Sequence, residues 1–444
     1  MAARSYPRSS VFIWGAFFLL RVVINCLTMP QRLTQISALA LAASAVAVLF
    51  SIAICEILLG VALAAYFAAF LAKQKPRFEL PAIWIPLALY MLWTVLSMVL
   101  APPAMRHAPQ IKKLFVLAIL PVGYLAFGPD GWFRGRTKLI QWTARAIVVT
   151  AFLSSVTAIV QFVRAVLHWR AKNQDFYDNY QLDRIGGFSG HGQWMAFSGQ
   201  MMLVLMLLGG WLTSKRAERN RWEVAAAWTL GTVIGVALLL SFTRGAWLGC
   251  GIGAVYLLWH YKRALIPLLP LLAVLIYFAA PDYLQERVRS ILENRADYST
   301  QARRVMYRAG WSMIKAHPYF GIGPEGVQYE FQRYQPDTYI PKAWYGHLHS
   351  DYLQTAASRG LPALLFLVWF FVWGLRDQHR LADSLVNADH GWLARGAAAA
   401  SISYYVEGAL EYNFGGSQMV MLWLFLLVLG YSVRKGAADA GVLC

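Results

Sequence analysis

Residues 222–261 read WEVAAAWTLGTVIGVALLLSFTRGAWLGCGIGAVYLLWHY, two apolar runs (222–242 and 245–260) parted by Thr243-Arg244-Gly245. A helix needs roughly 20 mostly apolar residues to cross about 30 Å of hydrocarbon. With no water there to satisfy backbone amides, only helices and closed barrels are viable spans. The same pattern recurs along the chain. Working outward, runs fall at about 11–29, 36–72, 82–100, 111–127, 139–166, 193–213, 264–280, 349–375, 393–411 and 417–434, which makes twelve spans in all. The fold class expected is therefore all-α, a polytopic membrane protein. Composition agrees: 58% of residues are hydrophobic and only 14% charged, and the mean hydropathy is +0.46, which excludes an ordinary soluble domain. Eighteen tryptophans and 22 tyrosines suit two lipid–water interfaces.

The formal charge of +18 is spread over short loops between apolar runs. Nucleic acid is therefore not the expected partner, and anionic membrane lipids or an anionic lipid-linked ligand are. Cys26, Cys55, Cys250 and Cys444 offer no disulfide framework and no CxxC site. The run at 11–29 follows Arg4 and Arg8 but lacks a small-x-small cleavage site, and reads as a first span. Basic residues concentrate in alternate loops when both termini are cytoplasmic. That parity makes 36–72 a single tilted or broken span, or one span with an interfacial piece. Three units result: spans one to nine (1–280), a periplasmic loop domain (281–348), and spans ten to twelve with a cytoplasmic C-terminus (349–444). Within the loop, 282–295 and 300–317 read as helices. The second has Arg304, Arg308 and Lys315 on one face and Met306, Gly310 and Met313 on another.

This topology leaves arginines on the outer side, where the charge bias should deplete them. Arg184 and Arg244 stand beside glycines at span ends, in Arg184-Ile185-Gly186-Gly187-Phe188 and Ser241-Phe242-Thr243-Arg244-Gly245. Glycine lets backbone approach a ligand closely, and a guanidinium matches phosphate oxygens in pairs. The pair suits a lipid pyrophosphate at headgroup depth; the bland reading is snorkelling to lipid phosphates. Arg287, Arg289, Arg303, Arg304 and Arg308, in the loop, are weaker substrate-binding candidates. His347-Leu348-His349-Ser350-Asp351-Tyr352 marks the junction with the next span. There His349 is the expected general base, with His347 in support, against the plainer reading that the histidines help cap a helix. No carboxylate lies at ligand spacing from the His-x-His pair, so no metal is expected. Arg145, Arg164, Arg359, Glu56, Glu407 and Glu411 are membrane ionisables expected to face the bundle interior, and an Arg359–Glu407 pair is one structural explanation.

Four pieces together resemble the O-antigen ligase family, whose superfamily includes O-antigen polymerases and protein O-oligosaccharyltransferases. They are Arg184-Ile185-Gly186-Gly187-Phe188-Ser189-Gly190, Ser241-Phe242-Thr243-Arg244-Gly245-Ala246-Trp247-Leu248-Gly249, His317-Pro318-Tyr319-Phe320-Gly321-Ile322-Gly323 and His347-Leu348-His349-Ser350-Asp351-Tyr352-Leu353-Gln354. The chain departs from the family at His349-Ser350, where His-Asn is typical, and at Arg359-Gly360-Leu361, where an acidic residue precedes the glycine. The resemblance implies a GT-C-like glycosyltransferase of the bacterial inner membrane, with its active site facing the periplasm. It implies transfer of O-antigen glycan from undecaprenyl pyrophosphate to the lipid A core oligosaccharide, inverting and without metal or cofactor. Arg184, Arg244 and His349 match the family's functional positions. The reading from another class, a polyprenyl-linked glycan transporter or flippase, would call for two similar halves. No such repeat stands out.

Overall fold

A computed structural model describes residues 29–72, 81–101, 109–128, 131–133, 136–179, 183–190, 193–214, 220–292, 298–335, 346–385 and 390–433. The expected first span at 11–29 lies almost wholly outside these, as do Lys75, Arg77, Lys215, Arg295 and Arg434. Among the described residues the α-helices of more than one turn are α1 (Met29–Ala47), α2 (Ile52–Leu71), α3 (Trp84–Leu100), α4 (Ile119–Phe127, preceded by a 3₁₀ helix at Pro109–Ala118), α5 (Thr137–Ala171), α6 (Trp194–Leu212), α7 (Arg221–Leu240) and α8 (Arg244–Tyr261). They continue as α9 (Leu268–Ala279), α10 (Asp282–Leu292), α11 (Tyr298–Ala316), α12 (Gly326–Tyr334), α13 (Asp351–Arg359), α14 (Leu361–Ser384), α15 (Gly391–Gly408) and α16 (Ser417–Tyr431). Five of them, α2, α5, α6, α7 and α14, are long and apolar enough to cross a membrane.

The centre of the bundle is made by α15 and α16. Apolar on all sides, α16 is buried from Gln418 to Tyr431, as expected of a helix with no polar face. α15 is rich in alanine and packs against α6, α8, α14 and α16. Lipid tails are as apolar as leucine, so close backbone approach and dispersion hold such helices together, and small residues permit it. Gly249 and Gly253 of α8 show this: a Cβ on either would strike Ser403 or Ala399 of α15. Outer helices turn apolar side chains away from the bundle, among them Phe67 and Leu71 of α2, Leu153 of α5 and Phe278 of α9.

Three of the expected runs divide or shorten in the structure. The stretch 36–72 is an antiparallel hairpin of two helices. Ser51 caps α2 by accepting from the Ile54 amide. Ser37 Oγ donates to the Ala62 carbonyl, and Ser44 Oγ to the Cys55 carbonyl, each at 2.8 Å. Of the two helices, only α2 is long and apolar enough to cross a membrane. The run at 264–280 gives only the 12-residue α9 after a 3₁₀ turn at Arg263–Leu265, about 18 Å long. The run at 349–375 breaks at Gly360, whose φ of +87° suits glycine. Pro362 sits in the first turn of α14, where its missing N–H costs nothing.

α11 carries a second, smaller core. Its Met306, Ala309 and Met313 are buried with Ile322, Val327, Phe331, Leu348 and Ala357, while Arg304, Arg308 and Lys315 are exposed. The His317–Gly323 turn docks on the α13–α14 break: Ile322 N–H donates to Ala357 and Leu361 N–H to Pro318. From the bundle, Trp93 Nε1 donates to the Arg359 carbonyl at 3.1 Å. The loop helices are thus fastened to the spans through α13.

Candidate functional site

Ser350 starts α13, its extended backbone and hydroxyl capping the Leu353 amide. The residue before it, His349, is held at φ +50°, a left-handed conformation that costs a non-glycine residue on the order of 1–3 kcal/mol. Neighbours hold it there. The Tyr307 hydroxyl of α11 donates to the His349 carbonyl at 3.2 Å, and His347 Nδ1 accepts from the His349 amide at 3.3 Å. The imidazole is buried, with Nδ1 2.8 and 2.9 Å from the two carboxylate oxygens of Glu411.

Glu411 lies beyond the end of α15, in the turn leading to α16. Arg303 of α11 reaches its Oε2 at 3.3 Å, and the Tyr412 amide its Oε1 at 3.2 Å. Burial pushes this carboxyl up, but the His349 hydrogen bond and the charges of His349, Arg303 and His347 outweigh it and hold the group below the usual carboxylate range. Glu411 is therefore a carboxylate at neutral pH. A carboxylate only accepts, so Nδ1 of His349 carries a proton, and in the neutral tautomer Nε2 then holds the lone pair. The turn is anchored in turn by α13, whose Asp351 Oδ1 accepts from the Phe414 amide at 2.7 Å.

A cavity of about 340 Å³ opens here. His347, His349, Glu411, Tyr412 and Asn413 form its polar wall, and Ile52, Met195, Ala196 and Met419 its apolar one. Trp194 also lines it, and the Arg184 guanidinium lies 4.7 Å from the Trp194 ring centre. Arg244 begins α8, and a Cβ on the neighbouring Gly245 would sit 3.5 Å from Glu407 Cγ, one helical turn before Glu411. His347 and His349 thus line the cavity, Arg303 reaches it through Glu411 and Arg184 through Trp194, while Arg244 starts α8 beside the Glu407–Leu410 segment. The other loop arginines with described side chains are elsewhere engaged or outward. Arg289 bonds the Tyr277 hydroxyl at 3.1 Å and meets Glu286 at 3.8 Å, while Arg304 and Arg308 are exposed on α11. Arg287 lies on α10 with its side chain outside the described set.

The fold supplies the carboxylate that sequence spacing lacked. Donor atoms of His347, His349 and Glu411 fall within 4.8 Å of one another, which removes the reason given for expecting no metal. Both Glu411 oxygens are nevertheless committed, to His349, Arg303 and the Tyr412 amide. The geometry is that of an imidazole oriented by a buried carboxylate. Arg359 goes to Ser358 Oγ at 2.8 Å and over the Tyr90 ring. Glu407 is wholly buried in α15, with the Asn413 side chain rather than Arg359 as its hydrogen-bonding neighbour.

Glu411, Tyr307 and Trp194 were not expected in the site. Glu411 was visible as an ionisable group near a span, but its partner stands 62 residues away. Compared with known families, residues 225–368 match the family model described as O-antigen ligase. This match takes in Arg244, the α11 arginines, the His317–Gly323 turn and His349, and leaves Arg184 and Glu411 outside. No curated protein matches the chain.

Proposed function

For a chain whose residues 225–368 are of the O-antigen ligase family, we propose the ligase reaction itself: transfer of a finished O-antigen glycan from undecaprenyl pyrophosphate to a sugar hydroxyl of the lipid A core. The site faces the periplasmic side of the inner membrane. The observation that carries the chemistry is the buried His349–Glu411 contact at 2.8 Å. It fixes the imidazole with Nε2 as base, as a buried carboxylate does for the histidine of a catalytic triad. The acceptor oxygen attacks the anomeric carbon and its proton passes to His349 Nε2. The bond from that carbon to the pyrophosphate oxygen breaks, and the configuration inverts. Charge then builds on the departing pyrophosphate. Arg184 and Arg244 meet it there, with Arg303 shared between that charge and Glu411. Fixed guanidiniums of this kind stabilise the leaving group without reorganising. His347 supports His349, its ring centre 4.4 Å away.

The apolar wall of the cavity, from Ile52 to Met419, suits the first units of the polyprenyl tail. A second apolar groove of about 310 Å³, lined by Trp142, Arg145, Leu207 and Trp392, lies toward the start of α15 and does not serve this donor. Purified protein reconstituted with carrier-linked glycan and lipid A core tests the reading. Glycan covalently joined to the core, with free carrier pyrophosphate and without added metal, is expected. Extension of a second carrier-linked repeat would identify a polymerase, modification of Ser or Thr a protein oligosaccharyltransferase, and movement of glycan without a new bond a transporter.

A further inference from the structure

α15, which leads to Glu411, packs against α8 and α14, and a second group of ionisable side chains gathers where the far ends of α8 and α14 meet the start of α15. From Arg244 to His260 α8 rises ~24 Å, and from Leu361 to His379 α14 rises ~27 Å. There His260 Nδ1 lies 2.9 Å from the Tyr256 carbonyl, and His379 Nδ1 3.1 Å from the Tyr256 hydroxyl. His379 Nε2 is 3.3 Å from Asp383 Oδ2, one turn along α14. The other oxygen, Asp383 Oδ1, accepts from Arg395 of α15 at 2.9 Å. Donor atoms of His260, His379 and Asp383 all fall within 4.8 Å of one another.

We propose that these three residues bind a divalent transition-metal cation of the Zn²⁺ class, bracing α8 to α14. A backbone carbonyl only accepts, so His260 carries its proton on Nδ1 and its lone pair on Nε2. The Tyr256 hydroxyl occupies Nδ1 of His379, which leaves Nε2 of that ring beside Asp383. One tyrosine thus sets both imidazoles in the arrangement that metal-binding histidines show, the far nitrogen fixed by an outer partner. Two imidazoles and a carboxylate, with a fourth position open to water, are a zinc-type donor set, whereas Mg²⁺ and Ca²⁺ prefer all-oxygen shells. Ligand atoms in a tetrahedral zinc site stand about 3.3 Å apart, so the three groups must close by a small rotation. The side chains of His379 and Asp383 are 41% and 49% exposed and have room for it. Oδ2 of Asp383 faces His379 while Arg395 holds the carboxylate through Oδ1, whereas Oε1 of Glu411 also accepts from the Tyr412 amide.

The test uses full-length protein in detergent, without a polyhistidine tag, stripped with chelator and titrated with Zn²⁺ and with Co²⁺, whose visible absorption reports its ligands. One equivalent is expected to bind to the wild type. His379→Ala and His260→Ala should each lose it, and Tyr256→Phe, which keeps all three ligands and the ring packing, should weaken it about tenfold. His347→Ala should leave it unchanged. Absence of binding to the wild type, equal binding by His379→Ala, or loss of the metal in His347→Ala would overturn the assignment.

Discussion

α15 has an ionisable cluster near each end, Glu411 with His349 beyond its last turn and Asp383 with His379 beside Arg395 near its first, and the two clusters differ in how much water they meet. At the cavity, the side chains of His349 and Glu411 are 5% and 8% exposed. At the far end, His379 and Asp383 are nearly half exposed. A buried pair stripped of one partner leaves a charge that nothing solvates, at about 3–5 kcal/mol, while an exposed pair contributes about 0–1 kcal/mol. The buried cluster therefore cannot tolerate rearrangement and is suited to hold a base in one orientation. The exposed one can yield to an incoming cation.

The largest break in this contrast should come from His349→Ala. It is expected to lower glycan transfer by ~10²–10⁴-fold, the range for a general base, while binding of carrier-linked donor, measured on the purified variant, persists. Unchanged transfer would remove His349 from the reaction. Arg244→Ala should cost ~10²–10³-fold in transfer. Lysine there should restore only part, since it lacks the planar fork; full recovery would argue against paired contacts to phosphate.

Glu411→Gln should destabilise the protein by about 3 kcal/mol, because His349 and Arg303 lose their counter-charge, read as a lower unfolding midpoint in detergent. The pH dependence has a definite sign. A carboxyl held below its ordinary value contributes stability that is fully present above that value and disappears as pH falls through the lowered one. The wild type should therefore keep this contribution on acidification from neutrality through the ordinary glutamate range near 4.5 and lose it only below, whereas Glu411→Gln should lack that transition. Metal-free Asp383→Asn should shift stability by no more than about 1 kcal/mol. A larger loss would show that the far cluster is not the weak partner of the comparison.

Much of the helical content was legible because hydrophobic runs and their stops act locally. The boundaries of α6, α7 and α8 fall within two residues of the expected 193–213, 222–242 and 245–260. The exposed Arg304 and Arg308 and the buried Met306 and Met313 follow the period of a helix in α11. Where run length misled, the decisive signals were also local but weak. Ser51 as a cap divides 36–72, and Gly360 followed by Pro362 divides 349–375; each reads as an ordinary residue inside a long apolar stretch. The same runs hide the difference between a central helix and a peripheral one. α16 and α9 are comparably apolar, yet α16 is buried along its length and α9 has no buried residue.

What the sequence determined by itself was that the chain is helical with runs apolar enough for a membrane, and that Arg184, Arg244 and His349 are the residues to propose for chemistry, since residue type, spacing and apolar length are properties of neighbours along the chain. Only the tertiary structure decided that Glu411 is the partner of His349, that Arg303 reaches the pair from α11, and that Tyr256 sits between His260 and His379. These are contacts between groups far apart in sequence. They exist because helices tied by small residues and dispersion bring their ends together, and no local pattern encodes which ends will meet.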